Sequence, residues 1–334
     1  MAIDELESLV NRELDLVFRT IQSYFANFSI SPPFKEVIWK SLSRLSPRPQ
    51  SFSNSNLTLL FPRLSYQACG GSDHFPPEIS AAWYLFYLAA DLMDSVQDFD
   101  QRVDLANTPY SFSEWLNLAS SYFFIANALL TALLDQDYDK RRVASVLKSF
   151  QERLLEMCEG QQQDLSTQEF SLSSYLEMLR KKSGAFFSLA CYAGARMATD
   201  DLGCVKNLAN FGSHVGSILQ ILDDLEDWHR LQAGESPLSR SLNWYKNLPT
   251  VYTLEVLPDD QKLAFRRVID NLAERPEEWQ SYVAWVNQTG AALYIMTMLT
   301  QEAELARKHL HNNRLQPIAQ ATLICVLNRL VGEN

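Results

Sequence analysis

Residues 81–100, AAWYLFYLAADLMDSVQDFD, contain both features on which the fold prediction rests. Apolar and aromatic residues fill the first half, and the second half carries four aspartates and no lysine or arginine. The apolar residues predict a buried helix that ends in acidic side chains. On such a helix Asp91, Asp94 and Asp98 lie within about 60° of one another, whereas Asp100 points away. This stripe is typical either of a solvated surface or of a site that gathers metal ions.

The acidic stripe also carries a stability prediction. No lysine or arginine occurs between residues 83 and 101, so the like charges repel one another. In the metal-free protein, replacing Asp94 by Asn is therefore expected to raise the melting temperature.

The same three- and four-residue spacing of apolar side chains continues through most of the chain. Only 11 glycines and 13 prolines occur in 334 residues, which favours long helices over a loop-rich β protein. After two N-terminal helices and one that begins near Pro62, the pattern predicts helices at 78–99, 112–135, 139–162, 171–198, 205–230, 258–272, 275–312 and 316–331. No clear linker or repeat divides the sequence, which predicts one all-α domain over residues 1–334.

Charge and cysteine content exclude several classes of function. The net charge of −11 argues against a nucleic-acid partner. The five cysteines are odd in number and show no CxxC spacing, so buried reduced thiols in a cytoplasmic protein are expected. The acidic N-terminus does not resemble a signal peptide. No stretch approaches 18 consecutive apolar residues, so the sequence predicts no membrane span.

A second acidic cluster follows another apolar helix, in FGSHVGSILQILDDLEDWHR at 211–230. Asp223 and Asp227 share a helix face, Asp224 is adjacent, and Gln220 lies one turn earlier. Two apolar helices that each end in aspartates predict carboxylates facing each other across a cavity. Carboxylate oxygens suit Mg²⁺, which binds readily when substrate phosphates complete its shell. The two clusters therefore predict a magnesium-dependent site for a diphosphate.

Three segments resemble the trans-isoprenyl diphosphate synthases, which have the class I terpenoid-synthase fold. QILDDLED (220–227) resembles the second Asp-rich motif of that family, glutamine included. KKSGAFFSLACYAGA (181–195) resembles its Lys-Thr-Gly segment, with Ser183 in place of threonine. YKNLPTVYTLE (245–255) resembles its later lysine followed by leucine and proline. The segments occur in the order of the family, and the resemblance spans roughly residues 57–255.

The sequence departs from the family at three places. The first Asp-rich motif has Ser95 where the family has its second aspartate, although Asp91 supplies a carboxylate from the preceding turn. The Gly-Lys-Arg segment that helps to bind isopentenyl diphosphate is reduced to FPRLSYQAC (61–69), which leaves only Arg63. The arginine pair after the first motif is reduced to Arg102. Of the predicted sites, the pocket for isopentenyl diphosphate is the one that these departures affect most.

The resemblance implies a fold, ligands and site residues. The fold is a bundle of about ten or more mostly antiparallel helices around a central cavity, and the expected assembly is a homodimer. The implied catalytic residues are Asp94, Asp98, Asp223, Asp224 and Lys182. The implied Mg²⁺ ligands are Asp94, Asp98, Asp223, Asp224, Asp227 and Asp91. The implied substrate-binding residues are Arg63, Arg102, Lys182, Gln220, Lys246, Phe86, Tyr87 and Ala90.

The implied activity is the condensation of an allylic prenyl diphosphate with isopentenyl diphosphate to a longer all-trans prenyl diphosphate. Ala90 lies one turn below Asp94 and is small, so it does not stop a growing product. Tyr87 lies at about 10 Å of helical rise from Asp94, with Phe86 beside it. These two aromatic residues, together with Trp83 one further turn down, are predicted to form the floor of the tunnel, which gives a product near geranylgeranyl length.

Three other functions remain open from the sequence. A class I terpene synthase is favoured by the loss of basic residues, but the second Asp-rich motif at 220–231 argues against it. A prenyltransferase that modifies a peptide is the second alternative. A non-catalytic subunit that modulates an active synthase is the third, and Ser95 favours it.

Overall fold

The computed structural model describes residues 3–45, 54–72, 74–97, 110–232, 244–272, 275, 278–311 and 314–333. These ranges contain helices and no β-strand, so the predicted all-α class is confirmed. The α-helices are α1 (Ile3–Ala26), α2 (Pro32–Leu45), α3 (Phe61–Ala68), α4 (Pro77–Gln97), α5 (Phe112–Ala132), α6 (Lys140–Ser166), α7 (Leu172–Leu179), α8 (Ala185–Ala198), α9 (Leu202–Gln232), α10 (Leu248–Val256), α11 (Asp259–Asn271), α12 (Glu278–Gln288), α13 (Ala291–Leu310) and α14 (Pro317–Leu330).

Local sequence signals account for several helix starts. Helix α5 begins with a capping box, in which the Ser111 side chain accepts from the Glu114 amide and Glu114 reaches back. Asp139 caps α6 by accepting from two backbone amides. Asn247 caps α10 by accepting from the Thr250 amide, and Pro249 follows in the first turn, where a missing N–H costs little.

The helices differ from the prediction most at three places, and α6 also runs four residues beyond the predicted end at residue 162. The predicted helix 171–198 is divided by a π-helical turn at Arg180–Gly184. The predicted helix 275–312 is two helices, α12 and α13, because Gly290 adopts φ +72°, a left-handed conformation that ends a helix. Helix α10 lies between the predicted helices 205–230 and 258–272 and was not predicted.

One apolar core cluster extends from Leu6 in α1 to Leu330 in α14. Helix α4 packs against α5, while α8 packs against α9 and α9 against α13. Trp83 and Phe86 of α4 are fully buried, as expected for a helix that is apolar on all sides. This packing places the C-terminal turns of α4, with their aspartates, beside α6 and the π-turn. The single domain over residues 1–334 stays a prediction from the sequence.

Two further predictions concern the apolar helices and the thiols. By length and composition, Phe112–Asp135 would be able to cross a membrane, but a buried core helix passes the same test. Because 44% of its most apolar window is buried inside the fold, the segment is weak evidence for a span.

All five cysteines carry free thiols, as predicted. Only Cys191 and Cys204 are buried, however, and Cys158 is exposed, so the expectation of burial was wrong for part of the set.

Candidate active site

The first acid cluster, defined here as Asp91 and Asp94, lies in the last two turns of α4. Oδ1 of Asp94 accepts from Nζ of Lys182 at 3.0 Å and from Nε2 of Gln161 at 2.7 Å. The Gln161 amide also donates to Oε1 of Gln97 at 3.0 Å. A lysine of the π-turn and an amide of α6 therefore hold Asp94, whereas the sequence predicted an uncompensated stripe.

Lys182 has a second carboxylate partner that the sequence analysis missed. Its Nζ lies 2.9 Å from Oδ2 of Asp164, near the end of α6. Lys246 also meets Asp164: its Nζ donates to the backbone carbonyl and lies 3.7 Å from Oδ1. Burial alone would lower the pKa of Lys182, but the Asp94 and Asp164 carboxylates outweigh this effect and raise the pKa. Lys182 is therefore a positively charged side chain within the fold.

The π-turn separates two adjacent lysines. Lys181 points outward, where its Nζ lies 2.7 Å from Glu159 and 2.7 Å from Glu177. Lys182 points inward, to Asp94 and Asp164. A π-turn inserts an extra residue into a helix and redirects the side chains that follow it. The local backbone therefore decides that Lys182, and not Lys181, reaches Asp94 and Asp164.

Two glycines allow neighbouring helices to approach the π-turn. A Cβ on Gly160 of α6 would lie 2.4 Å from the backbone nitrogen of Lys182. A Cβ on Gly216 of α9 would lie 2.4 Å from the carbonyl oxygen of Ser183. Neither distance is possible for a real side chain, so larger residues would push the turn away. The glycines thus keep Lys182 close to α6.

The second acid cluster, defined here as Asp223 and Asp224, lies on α9 and has different partners. Oδ2 of Asp224 accepts from the hydroxyl of Tyr175 at 2.7 Å and from the amide of Leu248 at 2.8 Å. These bonds connect α7, α9 and α10. Burial, followed by the Asp224 charge, raises the pKa of Tyr175 well above its usual value. Asp223 is exposed.

Tyr87 shows that both acid clusters face the same region. Burial raises the pKa of its hydroxyl, and the next causes are the charges of Asp91 on α4 and Asp223 on α9. The pKa of Tyr175 is raised in the same way by Asp164 and Asp223, after burial and Asp224. Acids of α4, α6 and α9 therefore lie near enough to two buried tyrosines to raise their pKa values.

The donor set suits a hard divalent cation. Carboxylate oxygens are the ligands that Mg²⁺ and Ca²⁺ prefer. Among the residues that the structure describes, no three acidic, histidine or cysteine side chains form a metal site by themselves. Asp98 and Arg102 lie outside the described residues, as does the side chain of Asp227.

Two other predicted substrate-binding residues, Gln220 and Arg63, have different surroundings: Gln220 lies beside the π-turn, and Arg63 does not. Oε1 of Gln220 accepts from the Ser183 hydroxyl at 3.1 Å, so Gln220 joins α9 to the π-turn. Arg63 instead donates to the buried carboxylate of Glu13 in α1. The Arg63 guanidinium also lies over the ring of Phe75, 4.6 Å from its centre. Among the described contacts, none links Arg63 to either acid cluster.

The three aromatic residues of the predicted tunnel floor, Phe86, Tyr87 and Trp83, do not all face the same helices. Phe86 packs against Phe123 of α5 and Phe150 of α6, with ring centres 5.3 Å and 5.6 Å away. Tyr87 lies 6.3 Å from Phe186 of α8 and stacks on Trp83. Tyr87, whose pKa responds to the acids, therefore packs toward α8, while Phe86 belongs to the packing of α4 on α5 and α6. Ala90, which lies on α4 between Tyr87 and Asp94, is half-buried.

Three residues of this site were missed: Gln161, Asp164 and Tyr175. Gln161 and Asp164 are three residues apart and share a face of α6, which is the one signal in the sequence. That face was hidden because the predicted helix ended at residue 162. Tyr175 was indistinguishable from a core tyrosine.

A sequence profile of the polyprenyl synthetase family matches residues 110–283, just over half of the chain. A short chain isoprenyl diphosphate synthase from Methanocaldococcus jannaschii is 27% identical over 144 residues, which cover 42% of this chain and 44% of that protein. The chain thus spans less than half the length of this curated relative.

A second relative, the tryptophan prenyltransferase ComQ of Bacillus subtilis, is 26% identical over 196 residues, which cover 57% of this chain and 62% of that protein. Among solved structures, a polyprenyl synthase from Caulobacter crescentus, complexed with calcium and isoprenyl diphosphate, superposes with a TM-score of 0.76. It covers 99% of this chain and 98% of its own at 17% identity, so it establishes the fold alone.

Proposed function

The chain belongs to the polyprenyl synthetase family, and we propose that it transfers a prenyl group from an allylic prenyl diphosphate. The observation that carries the proposal is the convergence of both acid clusters and two lysines. Lys182 and Lys246 share the carboxylate of Asp164. The charges of Asp91 and Asp223 both raise the pKa of the Tyr87 hydroxyl. Cations next to carboxylates are what a diphosphate with bound divalent metal requires.

The proposed metal is Mg²⁺, held by Asp94, Asp223 and Asp91, with Asp98 and Asp227 as the further ligands that the sequence implies. Asp224 remains a proposed ligand, although its Oδ2 already accepts two hydrogen bonds. When bound, Mg²⁺ neutralises negative charge on the leaving diphosphate.

The protein's own residues then have defined tasks. Lys182 and Lys246 donate to diphosphate oxygens and stabilise the charge that develops there. The rings of Trp83, Tyr87 and Phe186 line the region beneath the acids and exclude water, which would otherwise capture the allylic cation. Gln220 holds the π-turn against α9 through Ser183.

The test measures release of inorganic pyrophosphate. Purified protein is incubated with geranyl, farnesyl or geranylgeranyl diphosphate, with Mg²⁺ or with EDTA, and with or without isopentenyl diphosphate. We expect metal-dependent release of pyrophosphate and, with isopentenyl diphosphate, elongated diphosphates. Hydrocarbons or alcohols formed without isopentenyl diphosphate would indicate a terpene synthase. No turnover under any condition would refute the proposal and support a non-catalytic subunit.

A second candidate is transfer to an acceptor other than isopentenyl diphosphate. It is favoured by the contacts of Arg63, the one basic residue left in the corresponding segment, which binds Glu13 and Phe75. The segment before it is apolar and buried, with Leu57, Leu59 and Leu60 at most 4% exposed. The Bacillus subtilis relative is named a tryptophan prenyltransferase. Adding a tryptophan-containing peptide to the same incubation, and finding a prenylated peptide by mass spectrometry, would establish this candidate.

For condensation with isopentenyl diphosphate, we propose a product near geranylgeranyl length. Curated relatives are named for short-chain, geranylgeranyl, heptaprenyl and decaprenyl products, so membership of the family does not set the length. Replacing Ala90 by Phe should shorten the product, and replacing Tyr87 by Ala should lengthen it. Replacing Phe86 by Ala should lengthen it as well, by a smaller amount because the ring of Phe86 packs on α5 and α6. Unchanged product length in all three variants would exclude this face of α4 from the tunnel.

The proposed assembly is a cytoplasmic homodimer. Phe112, Leu116 and Phe124 lie on one face of α5 and are 47%, 39% and 74% exposed, which is typical of a surface that meets another chain. Phe124→Glu should convert the dimer to a monomer, as measured by light scattering after gel filtration. Leu202→Glu, an exposed apolar residue on α9, is the control and should leave the mass unchanged. A monomeric wild type would refute the homodimer.

A further inference from the structure

We propose that Asp164 is a positioning residue, whose carboxylate holds Lys182 and Lys246 as a pair directed at one diphosphate. The inference rests on the proposed function. Asp164 lies near the end of α6, Lys182 in the π-turn before α8 and Lys246 just before α10. These three segments are far apart in sequence and share one carboxylate.

The contacts of Asp164 are divided between the two lysines. Oδ2 lies 2.9 Å from Nζ of Lys182, while Oδ1 lies 3.7 Å from Nζ of Lys246. The backbone carbonyl of Asp164 also accepts from Lys246. One residue thus sets the spacing between two ammonium groups, which would otherwise repel each other.

Burial makes this arrangement dependent on charge. The side chains of Asp164, Lys182 and Lys246 are 19%, 17% and 21% exposed, so water compensates their charges only in part. An ammonium group in such surroundings needs a carboxylate partner to stay in place. Asp94, the other partner of Lys182, is a proposed metal ligand. Asp164 is therefore the counter-ion that remains when Asp94 turns to the metal.

The alternative is that Asp164 only fixes the end of α6, through its backbone and its ion pairs. The two roles differ in what happens when a lysine is removed. A positioning residue acts through the lysines, so its replacement matters less once Lys182 is gone. A purely structural residue lowers activity by the same factor in both backgrounds.

The experiment is a double-mutant cycle on the full chain, with Asp164→Asn, Lys182→Met and the double variant. Two quantities are measured: kcat and KM for pyrophosphate release from farnesyl diphosphate, and Kd for inorganic pyrophosphate in Mg²⁺ by calorimetry. Glu169→Gln is the matched control, because Glu169 follows Asp164 by five residues, pairs with Arg266, and forms an ion pair with neither lysine among the described contacts. Asp164→Glu keeps the charge.

We expect Asp164→Asn to lower kcat about 30-fold and to raise Kd for pyrophosphate about tenfold, two effects of the size typical for one charged contact. In the Lys182→Met background both effects should shrink to about fivefold or less, leaving the share that acts through Lys246. Asp164→Glu should recover part of kcat, and Glu169→Gln should match the wild type.

Equal effects in both backgrounds, or a wild-type Asp164→Asn, would overturn the positioning role. If Asp164→Asn does not fold, Asp164→Glu in the two backgrounds decides by the same criterion. A wild-type protein that neither binds pyrophosphate with Mg²⁺ nor releases it would instead refute the proposed function. The two failures are therefore distinguishable.

Discussion

The first acid cluster, on α4, and the second, on α9, are held by different kinds of group. Asp94 is held by the flexible side chains of Lys182 and Gln161. Asp224 is held by the buried hydroxyl of Tyr175 and by the backbone amide of Leu248. A lysine or an amide side chain can turn to another partner at little cost, whereas a backbone amide at a helix start moves only with the helix.

The difference indicates how charge is divided between binding and folding. In the first cluster the side chains that hold Asp94 are able to change partner, as the proposed binding of a cation and a diphosphate requires. In the second cluster Asp224 joins three helices, while its neighbour Asp223 is exposed. Two similar runs of aspartates are therefore held differently: Asp94 by side chains that can move, and Asp224 by groups that are fixed in the fold.

The largest expected effect is that of Asp223→Asn. Because Asp223 is the exposed member of the second cluster, its replacement should reduce turnover at least ~100-fold, about 2.7 kcal/mol of transition-state stabilisation. The melting temperature should stay within ~1 °C of the wild type. Steady-state kinetics with Mg²⁺ and thermal melts measure the two quantities. Glu226→Gln, an exposed acid on the same helix, is the control. A wild-type rate for Asp223→Asn would remove this residue from the site.

The second effect is that of Asp94→Asn, which should lower turnover about 30-fold, or roughly 2 kcal/mol. The sequence predicted a higher melting temperature, because it showed an uncompensated acidic stripe. The structure reverses this expectation: Lys182 loses one of two carboxylate partners, so the metal-free variant should melt a few degrees lower. A higher melting temperature would mean that repulsion outweighs the ion pair.

The pH dependence of that melting difference gives a further check on Lys182. Its pKa is raised in the folded protein, so its ion pairs stabilise the fold fully below the unfolded pKa, near 10.5. This stabilisation is lost as the pH rises through the raised value. The difference in melting temperature between the wild type and Asp94→Asn should therefore be constant from about pH 7 to 9. A difference that disappears within this range would contradict a charged Lys182.

The third effect is on stability. Tyr175→Phe removes a buried hydrogen bond to the Asp224 carboxylate, which is worth about 1.5–3 kcal/mol. The free energy of unfolding in urea should fall by roughly that amount. Turnover should change less than about threefold, since Tyr175 supports the fold and not the ligand. A large loss of turnover without loss of stability would place Tyr175 in contact with the substrate.

The smallest effect is expected for Asp91→Asn. The charge of Asp91 raises the pKa of the Tyr87 hydroxyl. Ser95 stands where the family has an aspartate. The reduction in turnover should be about threefold, below 1 kcal/mol and well below that of Asp94→Asn. If Asp91→Asn equals Asp94→Asn, Asp91 has replaced the missing aspartate as a ligand.

The sequence by itself determined the helices, because apolar periodicity records which face of each segment is buried. It also identified both acid clusters and Lys182, because each is a short motif in which the chemical type and the spacing are local. The helix bounds failed at the π-turn and at Gly290, where a single backbone turn interrupts an otherwise continuous pattern.

The tertiary structure alone decided the partners of these groups. Asp164 meets lysines 18 and 82 residues later in the chain, and no periodicity relates such distant positions. The direction of Lys182 depends on the π-turn and on the close approach of Gly160. The effect of Asp94 on stability likewise depends on which cation is packed beside it. Charge interactions depend on distance and burial, which are properties of the folded chain and not of its sequence spacing.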